Sequence, residues 1–294
     1  MYNIFKKIKR NLLVGALAFS FLLHPYTVSP EEKSASIKEI PILMYHNIAS
    51  KDKNKNNKNS RYYISPENFR KQLEELYANG FVAIKLEDLV NNQINVEEGK
   101  KPVVLSFDDS KENQFRINEY SNGDTDIDKN CAVGILLDFY NKQPEFGKNA
   151  MFFVIAKDCF GQEKYKKQKL EFLLANGMEI GNHTYNHPNL MEKSADFVEN
   201  NLGKAMEKFY EYLGEDASKI KILAVPGGHF PKSKEAMEKL IKFSYHGKNY
   251  ENTAIIGAGG GLCPLPTEKK FDKYKIPRIE VRNDNFEKIL EKIK

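Results

Sequence analysis

Eight short apolar runs recur along this chain with helix-type patterns between them. They are Ile40 to Tyr45, Phe81 to Ile84, Val103 to Phe107, Ala150 to Ile155, Met178 to Ile180, Ile222 to Val225, Ala254 to Ile256 and Ile276 to Val281. Short continuous apolar runs bounded by polar or turn residues read as strands buried on both faces. The segments between them repeat apolar residues at helical spacing. Phe69, Leu73 and Leu76 share one face, with Ser65 placed as N-cap, Pro66 in the first turn and Gly80 as the stop. Val198, Leu202, Ala205, Phe209 and Leu213 form a second stripe, and a third begins at Ser233 with Ala236, Met237 and Leu240. Strand and helix in alternation predict an α/β fold with parallel strands, a barrel rather than a sandwich. No internal repeat is present.

The rest of the composition narrows the class. About 250 residues follow the N-terminal segment, enough for one barrel to bury its own core without splitting. Lysine and arginine number 45 against 40 acidic residues, a net charge of +5 that is spread along the chain. No basic cluster is interleaved with aromatics, so a nucleic-acid partner is not expected. The mild positive balance would favour anionic walls or membranes only weakly. Three cysteines, Cys131, Cys159 and Cys263, are widely spaced and odd in number, which argues against a disulfide framework and a thiolate zinc site.

Lys6, Lys7, Lys9 and Arg10 precede an apolar run from Leu12 to Leu23. A basic stretch followed by a short apolar core is the pattern of a secretory signal. The run is shorter than the roughly twenty residues of a spanning helix, and no small-x-small cleavage site follows it. Residues 1–24 are therefore expected to be a signal peptide or membrane anchor, 25–38 a linker, and 39–294 a single catalytic domain. The expected location is extracytoplasmic, either secreted or attached to the cell membrane facing the wall. Lys51 to Ser60 reads as a Lys/Asn-rich surface loop.

Two segments carry chemistry. Ser106-Phe107-Asp108-Asp109-Ser110 and Asn182-His183-Thr184-Tyr185-Asn186-His187 each follow a predicted strand. Loops at the carboxyl ends of parallel strands converge, so residues distant in sequence can meet there. Together the segments offer two carboxylates and two imidazoles. Three N and O ligands leave coordination positions open for water and substrate, as a catalytic metal site requires. Pro188 makes a long helix carrying both histidines unfavourable.

These segments, with Gly177-Met178-Glu179-Ile180-Gly181 ahead of the second, Pro41-Ile42-Leu43-Met44-Tyr45-His46 near the start, and Ser65-Pro66-Glu67-Asn68-Phe69-Arg70-Lys71-Gln72-Leu73, resemble the polysaccharide deacetylases of carbohydrate esterase family four. The resemblance spans roughly residues 40 to 282 and is strongest to the exported branch acting on cell-surface glycans. It implies a distorted (β/α) TIM-like barrel, with Asp108 as catalytic base and Asp109, His183 and His187 as ligands of a divalent metal. Such mixed ligands suit zinc first, with cobalt, nickel, manganese or iron also compatible. The expected activity is removal of N-acetyl groups from N-acetylhexosamine units of peptidoglycan or a poly-N-acetylglucosamine. An O-acetyl glycan esterase would use the same site.

Three departures from the family pattern leave roles open. The residue after the Asp pair, usually Gly, is Ser110, and a long segment from Lys111 to Lys148 follows. Arg116 within it is a candidate to hold the Asp108 carboxylate or a substrate oxygen. The family's Arg-x-Pro-Tyr, whose Arg orients the base, is matched by Ala224-Val225-Pro226-Gly227. Gly227 could still offer a backbone N–H to an oxyanion, since that role needs no side chain. The family's Leu-x-His, whose His acts as general acid, has no counterpart, leaving His46 as first candidate and His229 as second for a site position. Loss of that Arg and His keeps open a non-catalytic glycan-binding protein. Gly257 to Gly261 reads as a tight loop at the barrel mouth.

Overall fold

The computed structural model describes residues 38–50 and 61–294. The expected signal or anchor (1–24), residues 25–37 of the linker and the loop from Lys51 to Ser60 lie outside the described residues. All eight expected strands form: β1 (Ile42–Tyr45), β2 (Phe81–Ala83), β3 (Lys101–Phe107), β4 (Met151–Val154), β5 (Glu179–Asn182), β6 (Ile222–Ala224), β7 (Ala254–Gly260) and β8 (Ile276–Glu280). Their order is β1-β8-β7-β6-β5-β4-β3, and β3 pairs back onto β1, closing a parallel barrel of seven strands.

The barrel is distorted at β3. One of its edges is taken by β1, with Ile42 opposite Val104 and Tyr45 opposite Phe107. The other edge is shared, because β2 pairs with Lys101 to Val103 and β4 with Ser106 and Phe107. The second strand thus stands outside the ring.

Side chains alternate between two cores, as the two-residue period of a strand dictates. Ile42, Val104, Met151, Phe153, Ile222, Ala224, Ala254, Ile256 and Ile276 cluster together and fill the barrel. Leu43, Leu105, Phe107, Phe152, Val154, Leu223 and Ile255, at the intervening positions, pack in the layer shared with the helices. Those helices are α1 (Pro66–Ala78), α2 (Leu86–Val90), α3 (Ala132–Lys142), α4 (Lys166–Ala175), α5 (Ala195–Leu213), α6 (Lys234–Ile241) and α7 (Phe286–Ile293). The expected caps form, with Ser65 Oγ accepting from Asn68 N at 3.2 Å and Ser233 Oγ from Ala236 N at 3.1 Å. The amino ends of the strands are closed by α2, whose Leu86 and Leu89 join the inner cluster. Its first turn is held by Glu179, which accepts from Leu86 N at 2.8 Å and Glu87 N at 2.9 Å.

The long segment after the Asp pair takes shape, and one expectation is corrected. Residues 111–148 are not irregular throughout. They hold an antiparallel hairpin, Ile117–Glu119 with Thr125–Ile127, followed by α3, whose N-cap is the sulfur of Cys131. Gly257 to Gly260 continue β7 rather than turning, with a register irregularity against β8 between Ile256 and Gly260. Glycines fit here because Pro277 crowds the strand: a Cβ on Gly260 would lie 2.7 Å from the Pro277 Cβ. All three cysteines are free and buried. Among the described residues no helix is long and apolar enough to cross a membrane.

Candidate active site

The carboxyl end of β3 turns sharply. Asp109 and Ser110 both take left-handed backbone, with φ of 77° and 44°. Such conformations cost non-glycine residues of order 1 kcal/mol or more and persist only where the surroundings impose them. Here Ser110, buried, accepts from Ile155 N at 3.1 Å and ties the turn to the end of β4. The end of β5 is built similarly. Asn182 Oδ1 accepts from Thr184 N at 2.7 Å, and Thr184 Oγ1 accepts from His187 N at 3.0 Å. Thr184 and His187 are left-handed, with φ of 68° and 56°. This turn, not a helix, brings His187 back beside His183, their rings 4.8 Å apart.

Asp109, His183 and His187 therefore converge, each offering one ligand atom, all within 4.8 Å of one another. The Nε2 atoms of His183 and His187 stand 3.5 and 3.3 Å from Asp109 Oδ1. His183 Nδ1 lies 2.8 Å from the Ala224 carbonyl oxygen. A carbonyl only accepts, so Nδ1 carries the proton and Nε2 presents its lone pair to the cluster. The donor set and the fixed tautomer fit a divalent metal. Burial would raise the Asp109 pKa, but the hydrogen bond and charge of His183 bring it below the ordinary carboxylate range. His187 is lowered by burial and then by His183.

Asp108 is one step further in. Strand parity points Val104, Ser106 and Asp108 into the barrel, and Asp108 is buried, its Oδ2 4.0 Å from His183 Nε2. Arg278, on β8, grips it with both ends of its guanidinium: Nη1 donates to Oδ1 at 2.7 Å and Nη2 to Oδ2 at 2.6 Å. Burial alone would raise Asp108, but the charge of Arg278, then that of His183, leaves it below its ordinary value. Sequence reasoning missed Arg278. The signal was present: within Ile276-Pro277-Arg278 the residue two beyond an inward Ile must also face inward, and a charge there needs a buried partner.

The remaining candidates separate. His46 follows β1, and its ring packs at 5.0 Å against Tyr62. Burial lowers its pKa, opposed by the nearby Asp108 and Asp109 charges. Its Nδ1 is buried without a hydrogen-bond partner among the described residues. Gly227, exposed, adopts φ 58°, and a Cβ there would lie 2.8 Å from His229 Cδ2. His229 is exposed and stands against that turn, outside the cluster of metal-compatible side chains. Arg116 does not hold Asp108. It pairs with Glu112 at 2.9 Å and Asp128 at 3.6 Å on the exposed side of the hairpin segment.

Several solved structures share this fold. The chain superposes on the Bacillus anthracis protein BA0330 with a TM-score of 0.64 at 20% identity, covering 87% of this chain and 69% of that one. The Streptococcus pyogenes deacetylase PplD, in complex with acetate, gives 0.59 at 20% identity, covering 87% and 98%. The de-N-acetylase of Aggregatibacter actinomycetemcomitans gives 0.58 at 13% identity, covering 87% and 100%. At these identities the likeness is one of fold. A search of curated proteins returned no match. The family model for polysaccharide deacetylase matches residues 95–246, just over half the chain and the part that carries the Asp pair and both histidines, and the chain belongs to that family.

Proposed function

We propose that the protein is a metal-dependent deacetylase that removes N-acetyl groups from N-acetylhexosamine units of an extracellular glycan, peptidoglycan or poly-N-acetylglucosamine. The observation that carries this reading is the Asp109, His183 and His187 cluster with a second, separately held carboxylate, Asp108, 4.0 Å from His183. A divalent ion, zinc first, would be held by Asp109, His183 and His187. When bound, it supplies Lewis acidity, lowering the pKa of a water and polarising a carbonyl.

The chain's own groups supply the rest. Asp108 takes the proton of the attacking water, its carboxylate oriented toward the cluster. The Gly227 N–H donates to the developing oxyanion, a role that leaves the missing Tyr side chain unneeded. His46, whose Nδ1 has no hydrogen-bond partner among the described residues, takes up a proton from solvent and passes it to the leaving amine. The N in N-acetyl is favoured by the structural neighbour whose activity is de-N-acetylation. An extracytoplasmic location, secreted or membrane-attached, is supported by the basic and apolar stretches of residues 6 to 23.

The test is acetate release from N-acetylglucosamine oligomers and purified peptidoglycan, with zinc or cobalt supplied and with Asp108→Asn alongside. Metal-dependent acetate with an equal yield of free amine, lost in the variant, is expected. Acetate without amine would make the protein an O-acetyl esterase, and no acetate from any acetylated glycan would leave a binding protein.

A further inference from the structure

We infer that Arg278 is the positioning residue for the catalytic carboxylate, supplying from the last strand of the barrel the orientation that the family pattern would take from position 224. The inference rests on the deacetylase reading. Position 224 lies on β6, three strands from β3 by way of β5 and β4, and holds an alanine packed in the inner cluster. Arg278 lies on β8, two strands from β3 in the opposite direction, by way of β1. The same carboxylate is therefore reached from the other side of the ring.

Every polar contact of the Arg278 side chain serves this placement. Nε donates to Gly257 O at 2.7 Å, which anchors the guanidinium to β7. Nη1 is shared between Ser106 Oγ at 3.3 Å and Asp108 Oδ1 at 2.7 Å, and Nη2 donates to Asp108 Oδ2 at 2.6 Å. Ser106 in turn donates to Leu43 O at 2.9 Å. The guanidinium carbon sits 5.2 Å from the centroid of the Phe153 ring. A planar fork on both carboxylate oxygens fixes the plane and rotation of Asp108, whereas a single contact would leave the torsion free. Lysine cannot reproduce this, being a point donor. Stability gives little reason for the pair, since a buried ion pair is often no better than apolar residues of the same volume. Its place in the molecule, with no solvent exposure and one carboxylate from the metal-compatible cluster, gives a catalytic one.

The closing experiment measures kcat and KM of wild type, Arg278→Lys and Arg278→Ala on N-acetylglucosamine oligomers, each with and without methylguanidinium chloride. Misplacing a reacting group by about 1 Å can cost about a hundredfold in rate, so Arg278→Lys is expected to lose kcat on that scale with KM nearly unchanged. Arg278→Ala is expected to lose at least as much and to regain part of it as methylguanidinium saturates the site. Full activity in Arg278→Lys overturns the inference, as does a folded Arg278→Ala that methylguanidinium leaves unchanged. Should Arg278→Ala not fold, Arg278→Lys decides alone. A wild type that releases no acetate sinks the deacetylase reading and this inference with it, whereas an active wild type with an equally active lysine variant sinks only the inference.

Discussion

Adding one methyl group at Gly181 tests whether the inner layer of the barrel is close-packed beneath the site. Gly181 stands opposite Phe153 across β5 and β4. A Cβ there would lie 2.4 Å from Phe153 Cδ1 and Cε1 and 3.1 Å from Met151 Sδ. Carbon atoms settle at about 3.5 to 4.0 Å, so the ring must move by more than about 1 Å. Phe153 has no solvent exposure, and overpacking of this kind costs about 1–3 kcal/mol. Loss of glycine's extra freedom in the unfolded chain returns about 0.4–1 kcal/mol, leaving Gly181→Ala destabilised by about 1–2 kcal/mol. For a domain of this size that is a fall in Tm of about 2–8 °C. Because the Arg278 guanidinium rests on the same ring, kcat should fall more than KM changes. In a Phe153→Leu background the methyl group has room, so its cost should shrink to under about 0.5 kcal/mol, a coupling of about 1 kcal/mol. Thermal melts of the four proteins in the cycle measure this. Equal costs in both backgrounds, or a Gly181→Ala that melts with wild type, would refute the packing argument.

Further outcomes follow from the opposite end of the barrel and from α3. Burial pushes Glu179 up from 4.5 to about 7, against the pull of the Glu87 and Leu86 amides. With the folded value above the unfolded one, this group's stabilisation is complete below about pH 4.5 and fades as pH rises toward 7, by at most about 3.4 kcal/mol at 1.36 kcal/mol per unit and less where solvent reaches it. Urea titrations across that window should show the slope in wild type and its loss in Glu179→Gln. Gly134→Ala places a Cβ 2.1 Å from the Asp128 carbonyl oxygen, which is backbone and cannot swing aside. It should cost about 3 kcal/mol, at the upper end of overpacking, and a melt within about 1 °C of wild type would contradict that.

The sequence made the barrel legible because buried parallel strands are nearly continuous apolar runs, and all eight lie where those runs do. Helices were legible only where their stripe was clean. In α4 the buried positions include Lys166 and Lys169 beside Leu170 and Leu173, so the apolar period is broken by lysines whose ammonium groups reach the Lys157 and Phe160 carbonyls at 2.8 Å. In α3 the run Ala132 to Leu136 is apolar on every side and shows no period at all. The metal-compatible triad could be read because its residues sit in two compact motifs. Arg278 belongs to no motif: strand parity marks it as facing inward, but its partner Asp108 is brought to it by the ring closure that joins β8 to β1 and β1 to β3. Arg116 was the local substitute, and its own neighbours Glu112 and Asp128 claim it.

The shared edge of β3 has a consequence for motion. A strand gripped along both sides by three others opens only when several ladders fail together, so the amides from Val103 to Asp108 should be among the slowest to exchange with deuterated solvent. His187 hangs from a left-handed turn secured by the Thr184 hydroxyl, and its side chain is 39% exposed against 20% for Asp109. The Asp109 arm of the cluster thus follows almost directly on the most heavily paired strand, while the His187 arm stands on a more exposed turn. Entry and exit at the site would be governed by the histidine arm, while the aspartate arm keeps its aim.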